Sequence, residues 1–265
     1  MRPAQPIPIT WLEEGDPLPP IELAQGPNGP APGLLAASAT IDVWRLTHAY
    51  RQGVFPWYSA GQPVLWWSPD PRMVLHTRQF NLHRSLRKTI AHGLAQRQFT
   101  VEIDRDFNAV IDACASTARS GQSGTWIQPE LKRAYVSLHR AGLAHSVEVY
   151  ADQVLVGGLY LVSIGRMVYG ESMFSRLSNA SKIALAALVA FCRHHQLPMI
   201  DCQQETAHLA SMGAQPIRRS HFLQEMSELV ATPAPNMNWA FSNSFWQHLD
   251  HRLLPSMSGN LAVAP

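Results

Sequence analysis

Two carboxylates stand in stretches of sequence where a charge is costly. Glu171 follows the apolar run at residues 167–170, and Asp201 interrupts the run at residues 199–202. A buried carboxylate needs a partner or a chemical role, because its transfer out of water without one is strongly unfavourable. Gln203 lies two residues beyond Asp201 and, on an extended strand, projects to the same face, so one side chain could orient the other. These three residues are candidates for a catalytic acidic cleft.

The same residue types also permit purely structural roles. Glu171 could point to solvent or pair with Arg176, and Asp201 could bind the backbone of a neighbouring turn. The pair Gly157-Gly158 weakens a strand unless a bulge, a ligand or another backbone requires the missing side chains. The residues alone therefore leave structural and functional interpretations open.

Aromatic and basic side chains elsewhere could bind a nucleic acid. Trp57 and Trp126 lie in loop-like sequence, where an aromatic face can stack on a base, although a single such tryptophan more often fills a domain interface. Arg84, Arg87 and Lys88 have the i, i+3, i+4 spacing of one helical face. Such a face can follow a phosphate backbone, although most basic helix faces are only solvated.

The composition narrows the classes of protein. With 21 basic and 19 acidic residues the formal net charge is +2, which argues against a surface that coats nucleic acid or anionic membrane throughout. The sequence contains no signal-peptide core and no run of about 18 apolar residues. We therefore expect a cytoplasmic protein that does not bind membranes.

No recognisable motif for a metal or a cofactor occurs. The 12 histidines include no helical His-Glu-x-x-His pattern, and a phosphate loop, a dinucleotide fingerprint and a nucleophile elbow are all missing. The cysteines are widely spaced in apolar sequence and are interpreted as reduced core residues: Cys114, Cys192 and Cys202. We expect neither a metal nor a cofactor.

Periodicity and turn signals predict an α+β protein. Helices are predicted at about residues 42–51, after a cap at Asn81, at 107–115, between Pro129 and Gly142, at 180–195, and after a cap at Ser220. Strands are predicted at about residues 64–67, 99–103, 145–150, 154–163, 166–171, 199–203 and 215–218. The strands between residues 145 and 171 should form an antiparallel meander, and the apolar helix at 180–195 should lie against the sheet.

The domain organisation follows from a junction near residues 68–72. A chain of 265 residues is long for one domain and short for two large ones, so we expect one main core and a smaller N-terminal module. Residues 1–70 would form a small N-terminal α+β domain with a proline-rich start, residues 71–250 the catalytic domain, and residues 251–265 an irregular tail.

Several longer motifs, in one order along the chain, resemble a known family. They are Gly53-Val-Phe-Pro-Trp-Tyr, Leu65-Trp-Trp-Ser-Pro-Asp-Pro-Arg, Gly124-Thr-Trp-Ile, His145-Ser-Val-Glu-Val, Val156-Gly-Gly-Leu-Tyr, Gly170-Glu-Ser-Met-Phe-Ser-Arg, Asn179-Ala-Ser-Lys and Asp201-Cys-Gln. Over about residues 26–223 the chain thereby resembles the bacterial leucyl/phenylalanyl-tRNA-protein transferases.

The resemblance implies an enzyme that uses charged tRNA. It would transfer leucine or phenylalanine, and less well methionine, from leucyl-tRNA or phenylalanyl-tRNA to proteins with N-terminal Lys or Arg, marking them for N-end-rule degradation. Residues 71–250 would have a fold similar to the Gcn5-related acetyltransferases. The chain lacks the pyrophosphate-binding loop of those enzymes, as suits a donor carried on RNA, so no cofactor is implied. We expect a monomer.

The resemblance also implies roles for individual residues. Asp201 would polarise Gln203, which would hydrogen-bond the incoming amine or the ester centre. Glu171 would hold the ammonium group of the esterified amino acid or help to bind the basic acceptor. The pocket for the transferred side chain would be formed by Leu159, Val168, Gly170, Met173 and Leu188. Deformable methionine and leucine side chains suit leucine or phenylalanine better than a β-branched residue.

The tRNA would contact two further groups of residues. Trp57 and Trp126 match positions near the 3′-terminal adenosine, and Arg84, Arg87 and Lys88 match the basic helix against the acceptor stem. Contacts to phosphates alone would make binding sensitive to salt and largely independent of tRNA sequence.

One part of the chain differs from some family members. These have Asn-Asp before the histidine that corresponds to His208, where this chain has Thr206 and Ala207. A tRNA-binding module without turnover is therefore an alternative hypothesis, and an acyltransferase that uses a small-molecule thioester is another.

Overall fold

A computed structural model describes residues 9–117 and 127–253. A small sheet occupies the N-terminal part, in the order β1-β2-β4-β3, with β1 and β2 parallel and the other pairs antiparallel. Its strands are β1 (Thr10–Leu12), β2 (Leu34–Ser38), β3 (Phe55–Pro56) and β4 (Val64–Trp67). Helix α1 (Val43–Arg51) connects β2 to β3 and begins where the Asp42 side chain accepts a hydrogen bond from the Arg45 backbone N–H.

A larger sheet of seven strands forms the rest of the framework. Its order is β11-β5-β10-β9-β8-β7-β6. The strands are β5 (Arg72–His76), β6 (Thr100–Ile103), β7 (Ala144–Ala151), β8 (Val154–Ile164), β9 (Met167–Ser175), β10 (Met199–Gln203) and β11 (Gln215–Ile217). The predicted meander is confirmed as β7-β8-β9, and β9 pairs with β10 in parallel. Strand β5, which the sequence patterns did not indicate, pairs antiparallel with β10.

Helices cover both faces of the large sheet. They are α2 (Arg84–Ala95), α3 (Phe107–Ser116), α4 (Pro129–Arg140), α5 (Ala180–His194), α6 (Ala207–Ser211) and α7 (Arg219–Ala231). Consecutive strand residues point to opposite faces. Accordingly Tyr160 and Val162 belong to the buried cluster that contains α3 and α4, whereas Leu159 and Leu161 belong to the cluster that contains α2 and α5. Within the described residues, no helix has both the length and the apolar character needed to cross a bilayer.

Helix α5 is buried over most of its surface, which confirms its predicted place against the sheet. Its N-terminus approaches Gly157 so closely that a Cβ added there would lie 2.5 Å from the Ala180 Cβ. Next to this glycine, Val149 and Tyr150 of β7 oppose Gly157 and Leu155, so the intervening residue of β8 forms a bulge. The close helix and the neighbouring bulge thus explain Gly157, whereas a Cβ at Gly158 would lie 2.8 Å from the Val147 carbonyl oxygen of β7.

Two helix starts differ from the prediction. Helix α2 follows His83 rather than Asn81, whose side chain instead donates to the Ser211 carbonyl group. Helix α7 follows Arg218 rather than Ser220. Neither observed N-cap residue caps its helix with its own side chain, and at α7 the Arg219 backbone N–H instead donates to Asp70. Cap residues alone therefore placed the start of α2 two residues early and that of α7 two residues late.

Candidate active site

A cavity opens where the parallel strands β9 and β10 part. Their pairing extends from Met167 and Met199 to Tyr169 and Asp201, and from Gly170 onward β9 pairs with β8 alone. The cavity has a volume of about 500 Å³. Its lining consists of Phe55, Pro56, Trp57, Leu159, Tyr160, Gly170, Glu171, Ser172, Met173, Leu185, Leu188, Ile200, Cys202, Gln203, Gln204, Thr206, His208 and Leu209.

A bulge in β9 aims Glu171 at this cavity. Tyr160 and Leu161 of β8 oppose Ser172 and Gly170, so Glu171 is the extra residue between them. Such bulges redirect a side chain that simple alternation along the strand would place elsewhere. The local backbone therefore presents the carboxylate to the cavity.

A second irregularity presents Gln203. Asp201 and Gln203 of β10 oppose Val74 and Met73, which are consecutive in β5, so Cys202 is an extra residue. Gln203 itself has a φ of 63°, in the left-handed region that non-glycine residues seldom adopt. The expectation that Asp201 and Gln203 share one face of a regular strand is therefore wrong, because the strand is irregular between them.

Three donors surround the Glu171 carboxylate. It accepts hydrogen bonds from the Tyr50 hydroxyl group at 2.6 Å, the Tyr135 hydroxyl group at 2.7 Å and the Gln203 side-chain amide at 2.9 Å. Burial raises the pKa of Glu171 to about 7, although the three donors oppose this shift. Burial and the nearby carboxylate raise the pKa values of both tyrosines, which remain donors. Arg176 instead donates to the Leu155 carbonyl group, so the alternative structural role of Glu171, an ion pair with Arg176, is not what the structure shows.

Asp201 is held behind the cavity wall by an arginine. Arg72 donates to its two oxygens from Nε at 2.8 Å and from Nη2 at 2.6 Å, and both side chains are fully buried. The guanidinium group lies between the rings of Phe55 and Phe222, at 4.7 and 4.6 Å from their centroids. Asp201 also accepts a 2.8 Å hydrogen bond from the Gln203 backbone N–H. It thus positions the backbone of Gln203, while the Gln203 side chain binds Glu171.

The predicted apolar pocket is largely assembled. Leu159, Gly170, Met173 and Leu188 all line the cavity. Val168 does not; it is fully buried in the core beside Ile200, because it precedes the point at which β9 and β10 part. A Cβ added to Gly170 would meet its nearest neighbours at 3.6 Å, an ordinary contact distance.

The predicted nucleic-acid contacts lie in separate places. Trp57 lines the cavity and packs edge-on against Trp67, whereas Trp126 lies outside the described residues. On α2, Arg84 and Lys88 are exposed, and Arg87 is half-buried and donates to Asp250 at 3.4 Å. These three cations share a surface of α2 and do not line the cavity.

The sequence patterns missed several residues of the site. Tyr50 and Tyr135 lie within two predicted helices but were not singled out, although a buried tyrosine in place of phenylalanine indicates a partner for its hydroxyl group. No feature of the sequence around Arg72 indicated that it binds Asp201. His208 lines the cavity, and burial together with the charge of Lys182 lowers its pKa.

A histidine cluster outside the cavity has the residue types of a metal site. The ligand atoms of Asp104, His139 and His145 lie within 4.8 Å of one another. However, His145 Nδ1 hydrogen-bonds Asp104 at 2.6 Å and His139 Nδ1 hydrogen-bonds the Ala144 carbonyl group at 2.8 Å. These hydrogen bonds engage the Nδ1 atoms, which are the histidine nitrogen atoms closest to the Asp104 carboxylate. The cluster is therefore a hydrogen-bonded network.

Family comparisons agree with the motifs that surround the cavity. Residues 74–227 match the model of the family described as leucyl/phenylalanyl-tRNA protein transferase, and residues 39–70 match the model of its N-terminal domain. The chain belongs to this family.

Curated relatives match over nearly their whole length. The leucyl/phenylalanyl-tRNA-protein transferase of Polaromonas sp. is 56% identical over 92% of this chain and 95% of its own. That of Leptothrix cholodnii is 57% identical over 92% of this chain and 96% of its own. Among solved structures, a conserved protein of unknown function from Staphylococcus epidermidis aligns over 70% of this chain and 68% of its own, with a TM-score of 0.38 and 11% identity.

Proposed function

We propose that this protein transfers leucine or phenylalanine, and less well methionine, from aminoacyl-tRNA to the N-terminal α-amino group of acceptor proteins. The observation that carries the proposal is the pair Glu171 and Gln203, joined at 2.9 Å and facing an apolar cavity. Family membership supplies the donor and the acceptor classes. The acceptors begin with Lys or Arg, and the enzyme acts as a cytoplasmic monomer without a cofactor.

The apolar wall selects the transferred side chain. Leu159, Met173 and Leu188 line a volume into which leucine or a phenyl ring fits, and methionine can adapt to either shape. A β-branched side chain is stiff close to the backbone and would crowd the entrance. Each methylene of misfit is worth about 1–3 kcal/mol, so selectivity is relative.

Gln203 and Glu171 act on the reacting groups. The amine attacks the ester carbonyl carbon, the new C–N bond forms, and the C–O bond to the ribose breaks as the proton lost by the amine goes to the leaving oxygen. Gln203 donates its side-chain N–H to Glu171, so its side-chain carbonyl oxygen can accept a hydrogen bond from the N–H of the attacking amine. An α-amino group has a reference pKa of about 7.7 and is partly neutral near pH 7, so orientation contributes much of the rate.

Glu171 provides negative charge for one of two cations. Either the ammonium group of the esterified amino acid or the basic acceptor side chain binds there. A Glu171→Gln variant tested with leucyl-tRNA and with a donor whose α-amino group is acetylated separates them. If the substitution slows transfer only from the free-amino donor, the carboxylate binds the donor ammonium group.

We also infer that the larger sheet is of the Gcn5-related acetyltransferase type. The supporting feature is an antiparallel meander followed by one parallel pair that separates beside the cavity. The N-terminal module, residues 1–70, supplies Phe55 and Trp57 to the same cavity. The esterified adenosine would enter along Trp57, whose ring can stack on a base.

A direct transfer assay tests the proposed function. Labelled leucyl-tRNA is incubated with the protein and a peptide that begins with arginine, and the same peptide with an acetylated N-terminus is the control. We expect label in the free-amino peptide only, and a Gln203→Ala variant should lose transfer while it still binds tRNA. Tight tRNA binding without transfer by the unaltered protein would instead favour a binding module, and stabilisation by coenzyme A would favour a thioester-dependent acyltransferase.

A further inference from the structure

The segment after α7 packs onto α2, which carries Arg84, Arg87 and Lys88, and onto α5. It contains two 3₁₀ helices, Asn243–His248 and His251–Leu253, the first against α5 and the second against α2. Trp246 and Leu253 are buried, and Arg193 of α5 donates to the His248 carbonyl group at 2.9 Å. Residues 233–253, here called the C-terminal segment, lie beyond the family match that ends at residue 227.

Asp250 joins this segment to α2. Its carboxylate accepts hydrogen bonds from Arg252 Nε at 2.8 Å and Arg252 Nη2 at 2.7 Å, and from Arg87 Nη1 at 3.4 Å. The Arg252 hydrogen bonds hold the pKa of Asp250 far below its usual range, so the carboxylate is charged at neutral pH. One acidic group therefore holds two guanidinium groups, one from each element.

The arrangement hides the acid and exposes the cations. The Asp250 side chain is 9% exposed, whereas that of Arg252 is 61% exposed. On α2, Arg84 and Lys88 are exposed, and neither forms an ion pair within residues 9–117 and 127–253. The joint outer surface of α2 and the C-terminal segment is thus positively charged, although the whole chain has a net charge of only +2.

Arg252 retains hydrogen-bonding capacity on this surface. It binds Asp250 through Nε and Nη2, and within residues 9–117 and 127–253 no hydrogen bond engages Nη1, whose N–H groups can donate to a further acceptor. A guanidinium group held in place by a carboxylate loses less side-chain entropy when it binds a phosphate than a free one. A planar donor of this kind suits phosphate oxygens.

We propose that Arg252 extends the basic face of α2 into one phosphate-binding surface for the acceptor stem of the tRNA, with Asp250 fixing the positions of Arg87 and Arg252. This inference rests on the proposed function, because it takes aminoacyl-tRNA as the ligand. It assigns a role in tRNA binding to a segment outside the region matched by the family model.

The salt dependence of tRNA binding tests the surface. The dissociation constant for leucyl-tRNA is measured over a series of salt concentrations for the unaltered protein and for Arg252→Gln, Arg252→Lys and Arg140→Gln. Arg140 is an exposed arginine on α4, on the opposite face of the large sheet, and is the matched control. Each duplex phosphate contact contributes about 0.9 to the slope of log affinity against log salt.

We expect Arg252→Gln to weaken binding several-fold and to reduce the slope by about 0.9. Arg252→Lys should keep the slope because it keeps the charge, and Arg140→Gln should change neither quantity. An unchanged slope in Arg252→Gln would overturn the proposal, and Arg252 would then have only a structural role as the ion-pair partner of Asp250. A loss of affinity with an unchanged slope, accompanied by a lower Tm, would have the same meaning. Transfer by the unaltered protein in the assay above is independent of both results, so failure of the proposed function is recognised separately.

Discussion

The Glu171 carboxylate shows how burial and hydrogen bonding compete at one residue. Three donors stabilise its charged form, yet desolvation is the larger effect and raises its pKa from 4.5 to about 7. A carboxylate with such a pKa changes charge within the physiological range. Burial therefore makes the charge at the cavity dependent on pH, and the hydrogen bonds from Tyr50, Tyr135 and Gln203 limit the size of the shift.

This raised pKa predicts a pH-dependent stability. Below about pH 4.5 Glu171 is protonated in both the folded and the unfolded state, and between about pH 4.5 and 7 the unfolded state loses its proton first. The folded protein consequently loses stability as the pH rises through this window. Glu171→Gln does not titrate, so its Tm relative to that of the unaltered protein should increase from about pH 5 to about pH 7.5 and then level off.

Exposed Glu130 provides the control for this titration. Glu130→Gln removes one negative charge from the surface without removing a buried group. Its Tm difference from the unaltered protein should show no comparable rise. A Tm difference for Glu171→Gln that stays constant across the window would contradict the raised pKa.

The buried pair of Arg72 and Asp201 predicts a strong coupling. Asp201→Asn leaves the guanidinium charge without its counter-ion, which costs about 3–5 kcal/mol in a buried site. Replacing both residues, as Arg72→Met with Asp201→Leu, removes both charges. This double variant should lose less stability than the sum of the losses in Arg72→Met alone and in Asp201→Leu alone. Denaturant unfolding of the single and double variants measures this, and additive losses would argue against a buried ion pair.

At the scale of elements, local patterns identified most helices and strands but not the site geometry. The meander and α5 have long periodic sequences that need no partner to be recognised. The bulges at Glu171 and Cys202 depend on the register of a neighbouring strand, which the chain does not encode locally. Likewise, Tyr50 and Tyr135 meet Glu171 only because α1 and α4 pack on the same side of the sheet.

The space around two glycines, Gly157 beside α5 and Gly170 in β9, predicts unequal responses to substitution by alanine. Gly157→Ala would place a methyl group 2.5 Å from the Ala180 Cβ, so the helix must move, at a cost of about 1–3 kcal/mol. In Gly170→Ala the nearest neighbours lie at 3.6 Å, and stability should change little. Denaturant midpoints compare the two variants. Equal stability would show that α5 can shift without loss.

At the scale of the whole molecule, one buried cluster joins the two sheets. It combines Tyr50 and Trp66 of the N-terminal part with Tyr160 and Tyr169 of the large sheet. A second cluster on the other face contains α2, α5 and the C-terminal segment. The cavity lies where the sheets meet, because Phe55 and Trp57 come from one part and the β9 and β10 residues from the other. Proper assembly of the whole chain is therefore a condition for the site.

The C-terminal segment should contribute to global stability through Trp246. This side chain is fully buried against α5, in the same cluster as Phe191 and Phe245, so Trp246→Ala would leave a large cavity and cost about 3–5 kcal/mol. Trp44→Ala provides the control, because Trp44 is 47% exposed on α1 and its loss should cost about 0.5 kcal/mol. Urea unfolding of both variants measures the difference. If Trp246→Ala were as stable as Trp44→Ala, the segment would pack on the surface without belonging to the cooperative fold, and Arg252 would lack the rigid support that its proposed contact with tRNA requires.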